Sequence, residues 1–87
     1  MRSKNELMAI GFVLVNVEIG KDREVYEKLI KNKKFKEIYF LFGEYDLIAK
    51  IETRDFDELS DIVFNEIRTV PGVRSTKTLT GATFPRK

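Results

Sequence analysis

Between Leu7 and Ile19 the chain is apolar at successive positions as well as at alternate ones, and nothing else in the sequence restricts the fold so strongly. The stretch is rich in β-branched and aromatic residues and reads as a long strand. Its side chains must then alternate between two faces. Ala9, Gly11, Val13, Val15 and Val17 fall on one face, and Ile10, Phe12 and Leu14 on the other. A second strand, Phe35 to Phe42, repeats the pattern, with Ile38, Phe40 and Phe42 facing one way and Tyr39 and Leu41 the other. A sheet apolar on both faces has to be covered on both. Helices from a chain of 87 residues can cover one face of a four-stranded sheet and leave the other bare. Monomers usually tolerate an apolar patch of only a few hundred Å². No segment is long enough to fold over the second face, so the expected cover is another copy of the chain, sheet on sheet about 10 Å apart. A homodimer at least is predicted. Val15→Asp would place an unpaired charge in a buried interface between copies, and the assembly should fall apart or the chain misfold.

Breaking residues divide the rest. Gly20-Lys21-Asp22 ends the first strand, and Asp22 is placed to cap a helix from Arg23. Val25, Tyr26, Leu29 and Ile30 share a face of that helix. Its C-terminus falls in Lys31–Lys34, where cations meet the negative end of the helix dipole. After the second strand, Gly43-Glu44-Tyr45-Asp46 makes a short turn into a third strand, Leu47 to Glu52, and marks a hairpin. Asp55, with Glu58 three residues on, opens a second helix in capping-box style. Phe56, Leu59, Ile62, Val63, Ile67 and Val70 form its buried face, and Pro71-Gly72 stops it. Val73 to Phe84 is the last strand. The order predicts an α+β, ferredoxin-like βαββαβ sandwich: a four-stranded antiparallel sheet, two helices on one face, paired into a dimeric alpha-beta barrel-like assembly. Residues 1–87 form one domain, with residues 1–6 read as a disordered or extended N-terminus.

Composition closes several routes to catalysis. The chain has no cysteine and no histidine. That removes disulfides, thiolate and imidazole metal ligands, and the usual nucleophile–histidine pairs. No catalytic residue, metal or cofactor is expected. Single glycines at 11, 20, 43, 72 and 81 make no phosphate-cradling motif. Asp55, Asp57, Glu58 and Asp61 could gather a hard cation, but helix capping and the dipole already account for them. Lys and Arg number 16 against 14 Asp and Glu, a net charge of +2, which gives little pull toward nucleic acid or anionic lipid. Leu47–Ile51 has no aromatic residue with which an RNA-recognition strand could stack bases. The apolar run Leu7–Val15 is far short of the ~20 residues of a membrane span, and no leader pattern follows it. The sequence is therefore read as cytoplasmic, with no membrane partner.

Two features remain as a binding site. The turn Gly43-Glu44-Tyr45-Asp46 offers backbone N–H groups to a carboxylate and the Asp46 carboxylate to an ammonium. Thr76, Thr78 and Thr80 line one strand face at period two and offer hydroxyls. The plain alternative is an ordinary hairpin turn with Thr chosen for strand propensity.

The stretch Phe42-Gly43-Glu44-Tyr45-Asp46-Leu47, then a helix, then Val70-Pro71-Gly72-Val73-Arg74-Ser75-Thr76-Lys77-Thr78, resembles the regulation-of-amino-acid-metabolism (RAM) domain. That is the C-terminal effector domain of the leucine-responsive (Lrp/AsnC) transcription regulators. The resemblance runs from about Met8 to about Phe84 and rests on G-x-Y-D with P-G-V-x-x-x-x-T in this element order. It implies a dimer whose sheets associate, often built into a ring of four dimers. It also implies a free amino acid as effector, bound between dimers near the turn. Carried over by position, Gly43, Tyr45 and Asp46 would hold the ligand, with Thr76 and Thr78 nearby and Glu44 in the variable position. The first strand starts within about seven residues of Met1, so the family's helix-turn-helix is expected to be missing, and with it specific DNA binding by this chain alone. Action through assembly with full-length Lrp/AsnC-type regulators would follow. Three functions stay open at this point: an amino-acid-sensing module of transcription regulation, a small dimeric ferredoxin-like enzyme, and an architectural oligomer without a ligand.

Overall fold

The structure is a computed structural model and describes residues 9–81. Strands β1 (Ala9–Val17), β2 (Phe35–Phe40), β3 (Leu47–Thr53) and β4 (Val73–Gly81) alternate with helices α1 (Asp22–Ile30) and α2 (Phe56–Ile62). The sheet order is β2-β3-β1-β4, and every neighbouring pair is antiparallel. This is the ferredoxin-like βαββαβ plan that the order of breakers predicts. The proposed N-terminal extension, Leu7, and the last residues of the fourth strand through Phe84 lie outside the described residues.

Both helices lie on one side of the sheet. Val13, Val15, Leu47, Ala49 and Ile51 point to them and are fully buried, together with Val25 of α1 and Ile67. Each large aliphatic side chain buried this way stabilises the fold by about 1.5–3 kcal/mol. Gly11 lets α2 approach: a Cβ there would stand 2.5 Å from Leu59 Cδ1, so a larger residue would force the Leu59 side chain to shift. A bulge between Phe35 and Glu37 shifts the β2 register by one, which turns both Phe35 and Ile38 toward the core.

The helix ends partly correct the sequence reading. Helix α1 begins at Asp22 and not Arg23; Lys21 holds the N-cap position without a side-chain bond, and Asp22 Oδ1 accepts only from the Arg23 amide. Asp55 does cap α2, its Oδ1 accepting from the Glu58 N–H at 2.8 Å. Glu58 turns back to the Arg54 amide, one residue outside the usual capping box. That amide and the Arg54 guanidinium hold the Glu58 carboxyl below its ordinary range. Past Ile62 the helix widens into a π turn, Val63–Ile67, in which the Arg68 N–H bonds to Val63 O. Ile30 and Phe56, expected in the core, are about half exposed. Strand β2 stops at Phe40, whose ring stacks on Tyr26 with centroids 4.7 Å apart, and Phe42 stands free in solvent.

Among the described residues, no helix covers the other face of the sheet. Register places Ile10, Phe12 and Leu14 of β1 beside Ile48 of β3 and Leu79 of β4. These are half-buried or exposed, as are the Tyr39 ring of β2 and the Lys50–Glu52 pair at 3.9 Å. Tyr39 donates its hydroxyl to Glu37 Oε1, and this bond raises the phenol's pKa. Val15 is on the helix side and not on this open face, so Val15→Asp tests the fold and not an interface.

Candidate functional site

The six predicted site residues fall into two groups, and one chain keeps them apart. Gly43, Glu44, Tyr45 and Asp46 make the β2–β3 turn. Gly43 has φ +116°, a left-handed conformation that a side chain would strain, and open space surrounds it. Leu41 N–H donates to Asp46 O and Asp46 N–H to Val15 O, which closes the turn and ties it to β1. The Asp46 carboxylate also has a structural task. Its Oδ2 accepts from the Val17 N–H at 2.9 Å, beside the register shift between Asn16 and Val17 that would otherwise leave that amide unpaired. Glu44 is exposed and Tyr45 half-buried.

Thr76 and Thr78 are on β4, across β1 from the turn. Thr76 pairs with Val15, whose other neighbour is Leu47, so Thr76 and the turn's end are two strand spacings apart, roughly 10 Å. The register puts Thr76, Thr78 and Thr80 on the helix side of the sheet. There β4, the edge strand, and α2 with its π turn enclose a groove of about 520 Å³. Thr78 and Thr80 form one wall; Phe56, Leu59, Phe64 and Arg68 form the other. At its end a second, more polar groove of about 360 Å³ begins, lined by Arg68, Arg74, Ser75 and Thr76. Arg68 borders both. Its guanidinium carbon sits 5.2 Å above the centre of the exposed Phe64 ring.

The helical wall of this groove was not among the residues read from the sequence as a site. Its signal is a spacing of four: Phe56, Ser60, Phe64 and Arg68. Residues four apart lie close on an α-helix, and the wider π turn keeps Phe64 and Arg68 in line. Glu66 fixes this segment from behind, accepting from Asn32 Nδ2 at 2.6 Å and Lys34 Nζ at 2.7 Å. The Lys34 ammonium and the Asn32 amide hold the Glu66 carboxyl below its ordinary range. Among the described residues, no group of three or more acidic side chains gathers as a metal site, and no helix is long and apolar enough to cross a membrane.

The structure thus joins a ferredoxin-like sheet with one open apolar face to a G-x-Y-D turn and a groove under the second helix. Residues 10–80 match the family described as the Lrp/AsnC ligand binding domain, and the chain belongs to that family. It is 36% identical over 70 residues to the HTH-type transcriptional regulator FL11 of Pyrococcus abyssi, a match covering 80% of this chain and 46% of that protein. The chain thus spans about half the length of the curated relatives it matches. Among solved structures, FFRP-DM1 superposes with a TM-score of 0.81 at 38% identity, covering 85% of this chain and 99% of that one. The transcriptional regulator NMB0573 of Neisseria meningitidis, solved as an L-Met complex, shares the fold with a TM-score of 0.82 at 18% identity, covering 100% of this chain and 59% of that one.

Proposed function

We propose that this chain is an oligomeric amino-acid-sensing domain that modulates transcription regulation through assembly with full-length Lrp/AsnC-type regulators. The observation that carries this reading is the separation of the two halves of the site. The groove under α2 holds Thr78, while the Gly43–Asp46 turn stands across β1 with Gly43 and Glu44 open to solvent. A ligand touching both must sit between copies, with the turn of one closing the groove of another. The bare face around Phe12, Leu14 and Leu79 supports a dimer formed sheet on sheet, and contacts through the turn would join dimers into a higher oligomer such as four dimers. The relatives are named as transcriptional regulators, and one protein of this fold carries L-Met in its structure. Specific DNA binding is assigned to the partner regulators, since a net charge of +2 gives this chain only weak, salt-sensitive attraction to phosphates.

A thermal-shift screen against the twenty amino acids tests the reading. A ligand at 100 times its Kd stabilises the folded form by about 2.7 kcal/mol. At roughly 4–8 °C per kcal/mol for a domain of this size, the shift is easily measured. Thr78→Val, an exposed position, should leave the unliganded melt in place and shrink the shift. Gly43→Val should shrink the shift from the turn side, but it also lowers the unliganded melt, because a β-branched residue is strained at φ +116°. Asp46→Ala is a poorer probe, because it also removes the acceptor of the Val17 amide. No shift with any amino acid would sink the sensing reading.

A further inference from the structure

The two grooves that meet at Arg68 differ in chemistry, and the difference specifies a ligand. The larger one is walled by Phe56, Leu59, Val63 and Phe64 and suits a carbon side chain. The smaller one offers Arg74, Ser75 and Thr76, all donors. Arg68 stands between them, its guanidinium carbon 5.2 Å from the centre of the Phe64 ring. A guanidinium presents its N–H groups as a planar fork that can make two parallel bonds to a carboxylate. Arg68 makes no ion pair with any carboxylate among the described residues. Together the grooves have the volume of an ordinary small-molecule site.

We infer that the site selects free amino acids with an aliphatic or aromatic side chain, the carboxylate held by Arg68 and the side chain lying against Phe64 and Phe56. This rests on the sensing reading above and names the ligand class within it. Arg68 and Phe64 are then the residues that set specificity. A glutamate or aspartate side chain would bring a second carboxylate into a groove where Asp61 repels it. With Arg68 taken by the first carboxylate, only the hydroxyls of Ser60, Thr78 and Thr80 can meet it. A lysine or arginine side chain would carry its charge past Phe56 and Phe64, with the exposed Asp61 as the one carboxylate in the groove's own lining.

Titration calorimetry on the whole chain with leucine, phenylalanine, methionine, lysine, glutamate and leucinamide decides the matter. The expected result is binding of the three apolar amino acids at least tenfold tighter than lysine or glutamate, with leucinamide at least tenfold weaker than leucine. Phe64→Ala should weaken leucine and phenylalanine about tenfold or more. Arg68→Gln should abolish the preference for leucine over its amide. Both side chains are exposed, so each variant should melt as the parent does without ligand. Lysine or glutamate binding as tightly as leucine overturns the inference and leaves the sensing reading standing. So does a leucine–leucinamide preference that survives Arg68→Gln. Binding of none of the amino acids overturns both.

Discussion

Leu14 and Val15 are neighbours in β1, both branched and apolar, yet the fold treats them oppositely. Val15 is sealed between the sheet and the helices, while Leu14, on the other face, keeps part of its surface in water. The same holds across the sheet: Leu47, Ala49 and Ile51 are closed over, and Ile48 between them is not. Among the described residues, one face is closed by the helices and the other is not. An apolar alternation on both faces therefore has two outcomes: one face is buried in folding, and the other is the surface that the proposed dimer would bury.

The comparison can be broken most directly by Val15→Asp. A lone carboxylate in the closed face costs several kcal/mol, a large part of the stability of a small domain, so the circular dichroism melt should be lost or lowered by tens of degrees. Leu59→Ala comes next. It removes the side chain that fills the space over Gly11, and about 2–5 kcal/mol should disappear from the urea unfolding free energy. Leu14→Asp is the matched probe of the open face. It should turn a dimer into a monomer by light scattering while the far-ultraviolet spectrum stays folded. If Leu14→Asp unfolds the chain outright, the two faces are not separable.

Smaller effects test how the helical cover is fastened. Asp55→Ala leaves the Glu58 N–H without its cap and should cost about 1 kcal/mol by urea titration. Glu66 joins the π turn to the loop after α1, and its pKa is lowered in the folded state. Its stabilisation is therefore present above its ordinary value of 4.5 and fades as pH falls through the folded value. Because the pair with Lys34 is substantially exposed, the effect is about 1 kcal/mol or less. Comparing Glu66→Gln with the parent at pH 7 and near pH 3 should show a gap that closes in acid.

Half of the candidate site's geometry is legible locally: G-E-Y-D marks a turn, and Gly43 takes the positive φ that the turn needs. Asp46 was read as free for a ligand, whereas one of its oxygens serves a β1 amide 29 residues away. A bond that distant leaves no mark on local spacing. Phe56 was assigned to the core because it fits the apolar period of the helix, yet it ends on the rim of the groove. Period alone cannot tell the edge of an apolar stripe from its centre.

By itself the sequence determined the order of the elements, the breakers between them, the Asp55 cap and the two-sided apolar character of the strands. These rest on φ preferences, hydrogen bonds between near neighbours and side-chain alternation, all of them local. Tertiary structure alone decided which face of β1 the helices would take, since the chain offers hydrophobic residues to both and only the handedness and length of the connections choose. It also decided that Thr78 would join Phe64 and Arg68 in one groove while the Gly43–Asp46 turn stayed two strands away. That placement follows from sheet order and register, which are set by the packing of the whole chain at once.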